Sequence, residues 1–267
     1  MVKEKIELDP NDPADRDLLA FQRSIYRPTS GTVDRSFEAY EDYLGGLTED
    51  QLADEAEQMS ESMLAYGLVS TYHASLLLFL VKQEHYELVA QCLGLNESGL
   101  ARFNEHQAFV CTIIAEVIHP YNAQCIFGLS KTLENGVLSR TAVRAGLHNL
   151  LTISLHPNVE ERINKSITGS TGAVSPKQYL IGALLRILGQ PLGVGQGNNP
   201  TCQSARGISM WSQHAPAKLI HMVQAAAVHD DLSFRFEGSE IKYSESALGL
   251  VQKLDHQYQC LTKSITR

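Results

Sequence analysis

The chemically suggestive part of this chain is a cysteine that follows a run of turn-forming residues. From Gly189 to Trp211 the sequence reads GQPLGVGQGNNPTCQSARGISMW, with five glycines, two consecutive asparagines and two prolines. Neither an ordinary helix nor a central strand tolerates that composition. After Pro200, the residues Ala205, Ile208 and Trp211 recur at intervals of three, so Cys202 is expected at or just before a helix start. Unpaired N–H groups and the positive end of the helix dipole favour an anion there, and a thiol so placed can have its pKa lowered from about 8.5 into roughly the 3.5–7.5 range. The glycines let the backbone approach a substrate closely. The side-chain amide of Gln196 is suited to donate a hydrogen bond to a developing oxyanion.

A thiolate acting on an acyl group needs a proton carrier, and His214, His229 and His256 are candidates among the histidines that follow the cysteine. His214 lies about 18 Å along a continuous helix and is out of reach unless that helix breaks. His229 is better placed, because Pro216 permits a bend between helices and a short strand is expected just after it. His256 is the third choice, in a helical context with Leu254.

The stretch from Gln196-Gly197 through Cys202 resembles the papain-like cysteine peptidase superfamily, in which a glutamine in a Gly-rich loop precedes by six positions a cysteine that begins the central helix. The resemblance implies that Cys202 attacks the acyl carbon and that Gln196 helps form the oxyanion hole. It covers fewer than twenty residues. It also departs from the family: Gln203 stands where papain has tryptophan, and Asn198-Asn199-Pro200 replaces a glycine, serine and cysteine pattern. The family's histidine lies on a strand well after the cysteine, with an Asn or Asp partner later still. The chain is therefore similar to the front part of a longer thiol enzyme, with the histidine half absent or supplied by another segment.

Two plainer readings of Cys202 stand beside this one. Cysteine is often a small buried residue, and a Gly/Asn/Pro loop before a helix can be a tight connection or a ligand-binding loop without chemistry. Glu116 and His119 form a single ExxH, with Glu84, His85, Glu105 and His106 on neighbouring helices. A di-metal carboxylate bundle wants two such units, so no metal is expected. GVGQGNN lacks both the Lys-Ser/Thr ending of a P-loop and the GxGxxG spacing, and no cofactor is expected. The acidic run Glu49, Asp50, Asp54, Glu55, Glu57 and Glu61 reads as a solvated helix face.

Composition narrows the partners. The 267 residues are 43% hydrophobic with a formal charge of −8 and no Lys/Arg cluster, which argues against nucleic acid and anionic membrane surfaces. Five widely spaced cysteines without a CxxC pair suit reduced thiols in a cytoplasmic setting. No secretory signal is visible at the amino terminus. The apolar stretch Met63–Val81 has about the length of a membrane span. It carries His73, Ser70, Thr71 and Ser75 and stands alone, so a buried core helix is expected instead.

Several elements can be placed. Asp12-Pro13, the box Thr48 to Gln51, Asn96, and Ser175-Pro176 with Gln178 each mark a helix start. Pro120 ends the helix begun at Asn96, Leu138–Leu155 is apolar at helical intervals, and Asn158 with Glu161 begins a short helix after Pro157. Ser233–Phe236, Gly238 and Ile241–Tyr243 suggest a hairpin. The small polar run Ser166–Val174 marks a boundary near 168–175. The expected fold is mainly α: a helical domain over 1–170 and a smaller α+β portion over 171–267 that carries the Gln196–Cys202 loop. The expected function is a thiol-dependent acyl hydrolase or transferase acting on a small-molecule or peptide amide or ester. The alternative is a non-enzymatic helical interaction or scaffold protein that binds a protein partner.

Overall fold

The computed structural model describes residues 8–9, 11–167, 174–195, 202–236 and 238–242, the side chains of 234–236 and 241 excepted. Twelve α-helices account for most of them, so the fold is mainly α. The chain divides into two compact units, Met1–Gly94 and Leu95–Arg267.

In the first unit, α1 (Pro13–Tyr26) opens with the Asp12 carboxylate accepting the backbone N–H groups of Ala14 and Asp15 at 2.8 and 3.2 Å. Ser36 caps α2 (Phe37–Gly45), and the Thr48/Gln51 capping box opens α3 (Glu49–Tyr66). The apolar run 63–81 is not one buried helix. It splits between the end of α3 and α4 (Thr71–Lys82). Gly67 leaves the helix at φ +65°, its N–H bonded to the Met63 carbonyl at 2.8 Å. Ser70 caps α4 and donates its hydroxyl to the Ile25 carbonyl at 2.6 Å. Glycine is the residue that enters the left-handed region without strain, and serine competes for backbone N–H groups, so two small residues overrule the hydropathy. With α5 (Tyr86–Cys92), the unit closes over Tyr40, Met59, Met63, Leu76, Leu80 and Leu93, each 1% exposed or less.

The second unit begins with α6 (Glu97–Val117), capped by Asn96 as its sequence predicts and bent at His106, where φ and ψ leave the helical region. There follow α7 (Cys125–Glu134), α8 (Thr141–Thr152), α9 (Pro157–Ser166), α10 (Pro176–Gly189), α11 (Cys202–His214) and α12 (Pro216–His229). The N-cap of α9 is His156, whose Nδ1 accepts from the Asn158 N–H, rather than Asn158 itself. A Ser175/Gln178 capping box opens α10, which packs on α6, α7, α9 and α11. The division expected near 168–175 falls largely on 168–173, outside the described residues. Helices from either side of it, α9 and α10, pack on each other within this unit.

Helices α7 and α10 approach closely through two glycines. A Cβ added at Gly128 would stand 2.6 Å from the Leu185 carbonyl oxygen and 2.7 Å from the Arg186 Cα, and one added at Gly189 would meet the backbone of Gly128. At the end of α12, Asp230 takes φ +54° and accepts hydrogen bonds from both terminal nitrogens of Arg162 and from Asn158, tying α9 to α12. Burial works to raise the Asp230 pKa, but those hydrogen bonds and the Arg162 charge outweigh it and hold the group below its ordinary value.

Strand structure is confined, among the described residues, to an antiparallel hairpin. Strand β1 (Ser233–Phe236) pairs with β2 (Ser239–Lys242), with Gly238 at φ +84° in the turn. The α+β character expected of 171–267 shrinks to that ribbon, and two strands do not make a sheet that can carry a layer of its own. No helix among the described residues is long and apolar enough to cross a membrane.

Candidate functional site

Cys202 is the first residue of α11 and is exposed. It therefore meets solvent at a helix amino terminus, as the residue pattern requires. Gln196 and the loop through Thr201 lie outside the described residues. The other described thiols differ in kind. Cys92 and Cys125 are fully buried within helices. Burial pushes the Cys125 thiol up to about 12 and holds Cys92 well above the usual thiol range, with the Glu55 charge adding to the effect. Cys111 is half-buried and shifted the same way. A buried, protonated thiol is a poor nucleophile.

His214 and His229 fall at the ends of different helices. Helix α11 runs unbroken from Cys202 to His214, so His214 stands at its opposite end, about 18 Å away. His229 closes α12, the next helix, and is exposed. Ala215 joins the two helices. Trp211 of α11 packs against Met222, Ala226 and Leu232, so the chain folds back at this junction. Among the described residues no hydrogen bond or ion pair links Cys202 to a histidine. His256 lies outside them.

His229 lines a pocket of about 370 Å³ at the junction of α12 and the hairpin, with Lys218, His221, Asp231, Glu240 and Lys242. Two imidazoles, two carboxylates and two ammonium groups there give proton donors and acceptors in one recess. Cys202 does not line it.

Two histidines of the ExxH and neighbouring pairs make structural contacts. No three His, Cys, Asp or Glu side chains among the described residues come together as a metal site. His119 lies beyond the end of α6 and caps the short 3-10 turn Pro120–Asn122, its Nδ1 accepting from the Tyr121 N–H at 3.2 Å and its ring stacked on Tyr121. His106 is met by Arg144, whose guanidinium also donates to the Leu138 carbonyl.

One residue of the acidic run departs from its expected role. Glu55 is not on a solvated face: it is 3% exposed. Its Oε1 accepts the Thr29 hydroxyl at 2.5 Å and the Tyr40 hydroxyl at 2.8 Å, and Gly31 lies so near that a Cβ there would stand 2.7 Å from Oε1. Burial and the Glu55 charge keep the Tyr40 phenol protonated far beyond its ordinary range. The signal was in the spacing. Leu52, Glu55, Ala56, Met59 and Met63 form one helical stripe, and all five are buried. In the same unit His73 is 1% exposed, and its Nε2 donates to the Cys92 carbonyl at 2.8 Å while Nδ1 finds no partner among the described residues. Burial pulls its pKa down to about 4.

No protein-family model, curated protein or solved structure matches the chain.

Proposed function

We propose that the chain is a thiol-dependent acyl hydrolase or transferase, with Cys202 as nucleophile, Gln196 as oxyanion donor and His229 as proton carrier. The observation that supports this reading is the placement of Cys202: an exposed thiol on the first turn of a 13-residue helix, while Cys92 and Cys125 are sealed in the core. The Cys202 thiol passes its proton to the His229 imidazole, its sulfur adds to the carbonyl carbon of an amide or ester, and the carbonyl oxygen takes up the charge. Collapse of that adduct expels the amine or alcohol, which takes a proton from an imidazolium. Water, or a second acceptor, then attacks the thioester and regenerates the thiol. The polar recess around His229 supplies groups suited to these proton transfers.

Turnover of p-nitrophenyl acetate by the full chain tests the reading. Nitrophenolate is expected to form in a burst and then continue steadily, with acetyl trapped on the peptide that holds Cys202. Cys202→Ala removes both phases, and His229→Ala slows the steady one. Iodoacetamide in limiting amount is expected to label Cys202 ahead of Cys92, Cys111 and Cys125. If Cys202 takes one acetyl group and no turnover follows, it is only an accessible thiol, and the helical interaction protein becomes the better reading.

A further inference from the structure

We propose that the groove between α1 and α3 binds an acidic segment of a partner protein, one with carboxylates spread along its length beside an apolar side chain. This stands whether or not Cys202 is a nucleophile. The groove has a volume of about 650 Å³ and is lined on the α1 side by Arg16, Arg23 and Arg27, and on the α3 side by Gln58, Glu61 and Tyr66. Arg16 and Arg23 share one face of α1, since an offset of seven residues returns to nearly the same direction on a helix, and Arg27 follows as its C-cap.

The charge around them makes this clustering informative. Met1–Gly94 contains seven lysines and arginines against eighteen aspartates and glutamates, yet three of the seven meet in this groove. Among the described residues neither Arg16 nor Arg23 pairs with a carboxylate. Arg27 reaches Asp34 at 2.9 Å, with the two side chains 57% and 76% exposed. Such an exposed pair is worth little and exchanges readily for an incoming carboxylate. At the rim Phe21 and Tyr66 meet edge to face at 5.5 Å between ring centres and remain 42% and 41% exposed. They offer an aromatic seat of the kind that anchors partner side chains.

Spacing selects the ligand. Along α1, Arg16 and Arg23 are about 10 Å apart, and Arg27 lies beyond the end of the helix, so a single phosphate or carboxylate does not satisfy all three. A segment with acidic side chains one or two turns apart does. Nucleic acid presents a phosphate about every 3.4 Å along each strand and would bring far more negative charge against a unit already rich in acids. A short acidic peptide matches three positive charges without that repulsion.

The test uses the full chain and a short fluorescein-labelled peptide of glutamate and leucine, followed by fluorescence anisotropy. Binding is expected to weaken as salt rises and to be lost when glutamine replaces glutamate in the peptide. The double variant Arg16→Glu, Arg23→Glu should weaken it by about ten-fold or more, with an unchanged helical circular dichroism spectrum because both side chains are exposed. Glu61→Gln removes the one carboxylate lining the groove and should tighten it. Equal binding of the glutamine peptide, unchanged affinity in the double variant, or preference for a single-stranded oligonucleotide of similar length would each overturn the proposal.

Discussion

Glu55 shows what a buried carboxylate does when, among the described residues, no cation pairs with it. Its charge is met by two hydroxyls, Thr29 and Tyr40, which reach it from outside α3, so it organises the packing of the first unit around one oxygen. Removing it orphans both donors, and Tyr40 is fully buried. Glu55→Ala should therefore cost about 3 kcal/mol or more in urea unfolding, whereas Glu55→Gln, which keeps an acceptor oxygen, should cost much less. Equal losses would mean that the negative charge, not the acceptor, holds the cluster. Cys202 is the converse case, a residue whose environment could be read from its neighbours alone. Turn formers before it and a three-residue periodicity after it locate the helix start, and nothing distant is needed. The burial of Glu55 is hidden in the sequence because its neighbours there are acidic, while its partners are 26 and 15 residues away.

At the scale of elements, caps were the reliable signals. Asp12, Thr48, Asn96 and Ser175 each begin the helix their chemistry predicts, because a cap is a contact between residues two or three apart. The break at Gly67 was concealed by the apolar residues around it. The close approach of α7 and α10 could not be read from sequence at all, since it depends on Gly128 facing Gly189 across the fold. Gly128→Ala should lower stability by about 1–3 kcal/mol, because the new methyl meets backbone atoms that cannot rotate away. Gly45→Ala is the control: it is exposed at the end of α2 with open space around its Cα, and it should be neutral or mildly stabilising. A denaturant midpoint for each variant decides whether the contact is as tight as the distances indicate.

For the whole molecule the two units can be followed separately. Trp211, the single tryptophan, lies in the second unit, while helical circular dichroism reports on both. His73 lies in the first and is neutral in the fold, with a pKa near 4 against about 6.5 in an unfolded chain. Between those values the unfolded state binds a proton that the folded state refuses. Stability is thus full above about pH 6.5 and falls as the pH drops toward 4. Urea midpoints measured by circular dichroism should fall across that window, and in His73→Phe the fall should be shallower. The Trp211 fluorescence transition should be unaffected by that substitution. If it shifts equally, the units unfold as one.

The facing glycines of α7 and α10 also constrain how this chain can vary over generations. A methyl group at either position wedges the helices apart, and a second one then enters space already opened. The two changes together should therefore cost less than the sum of each alone. A lineage that has lost one of the two glycines is therefore under weaker constraint at the other and is expected to lose it more readily.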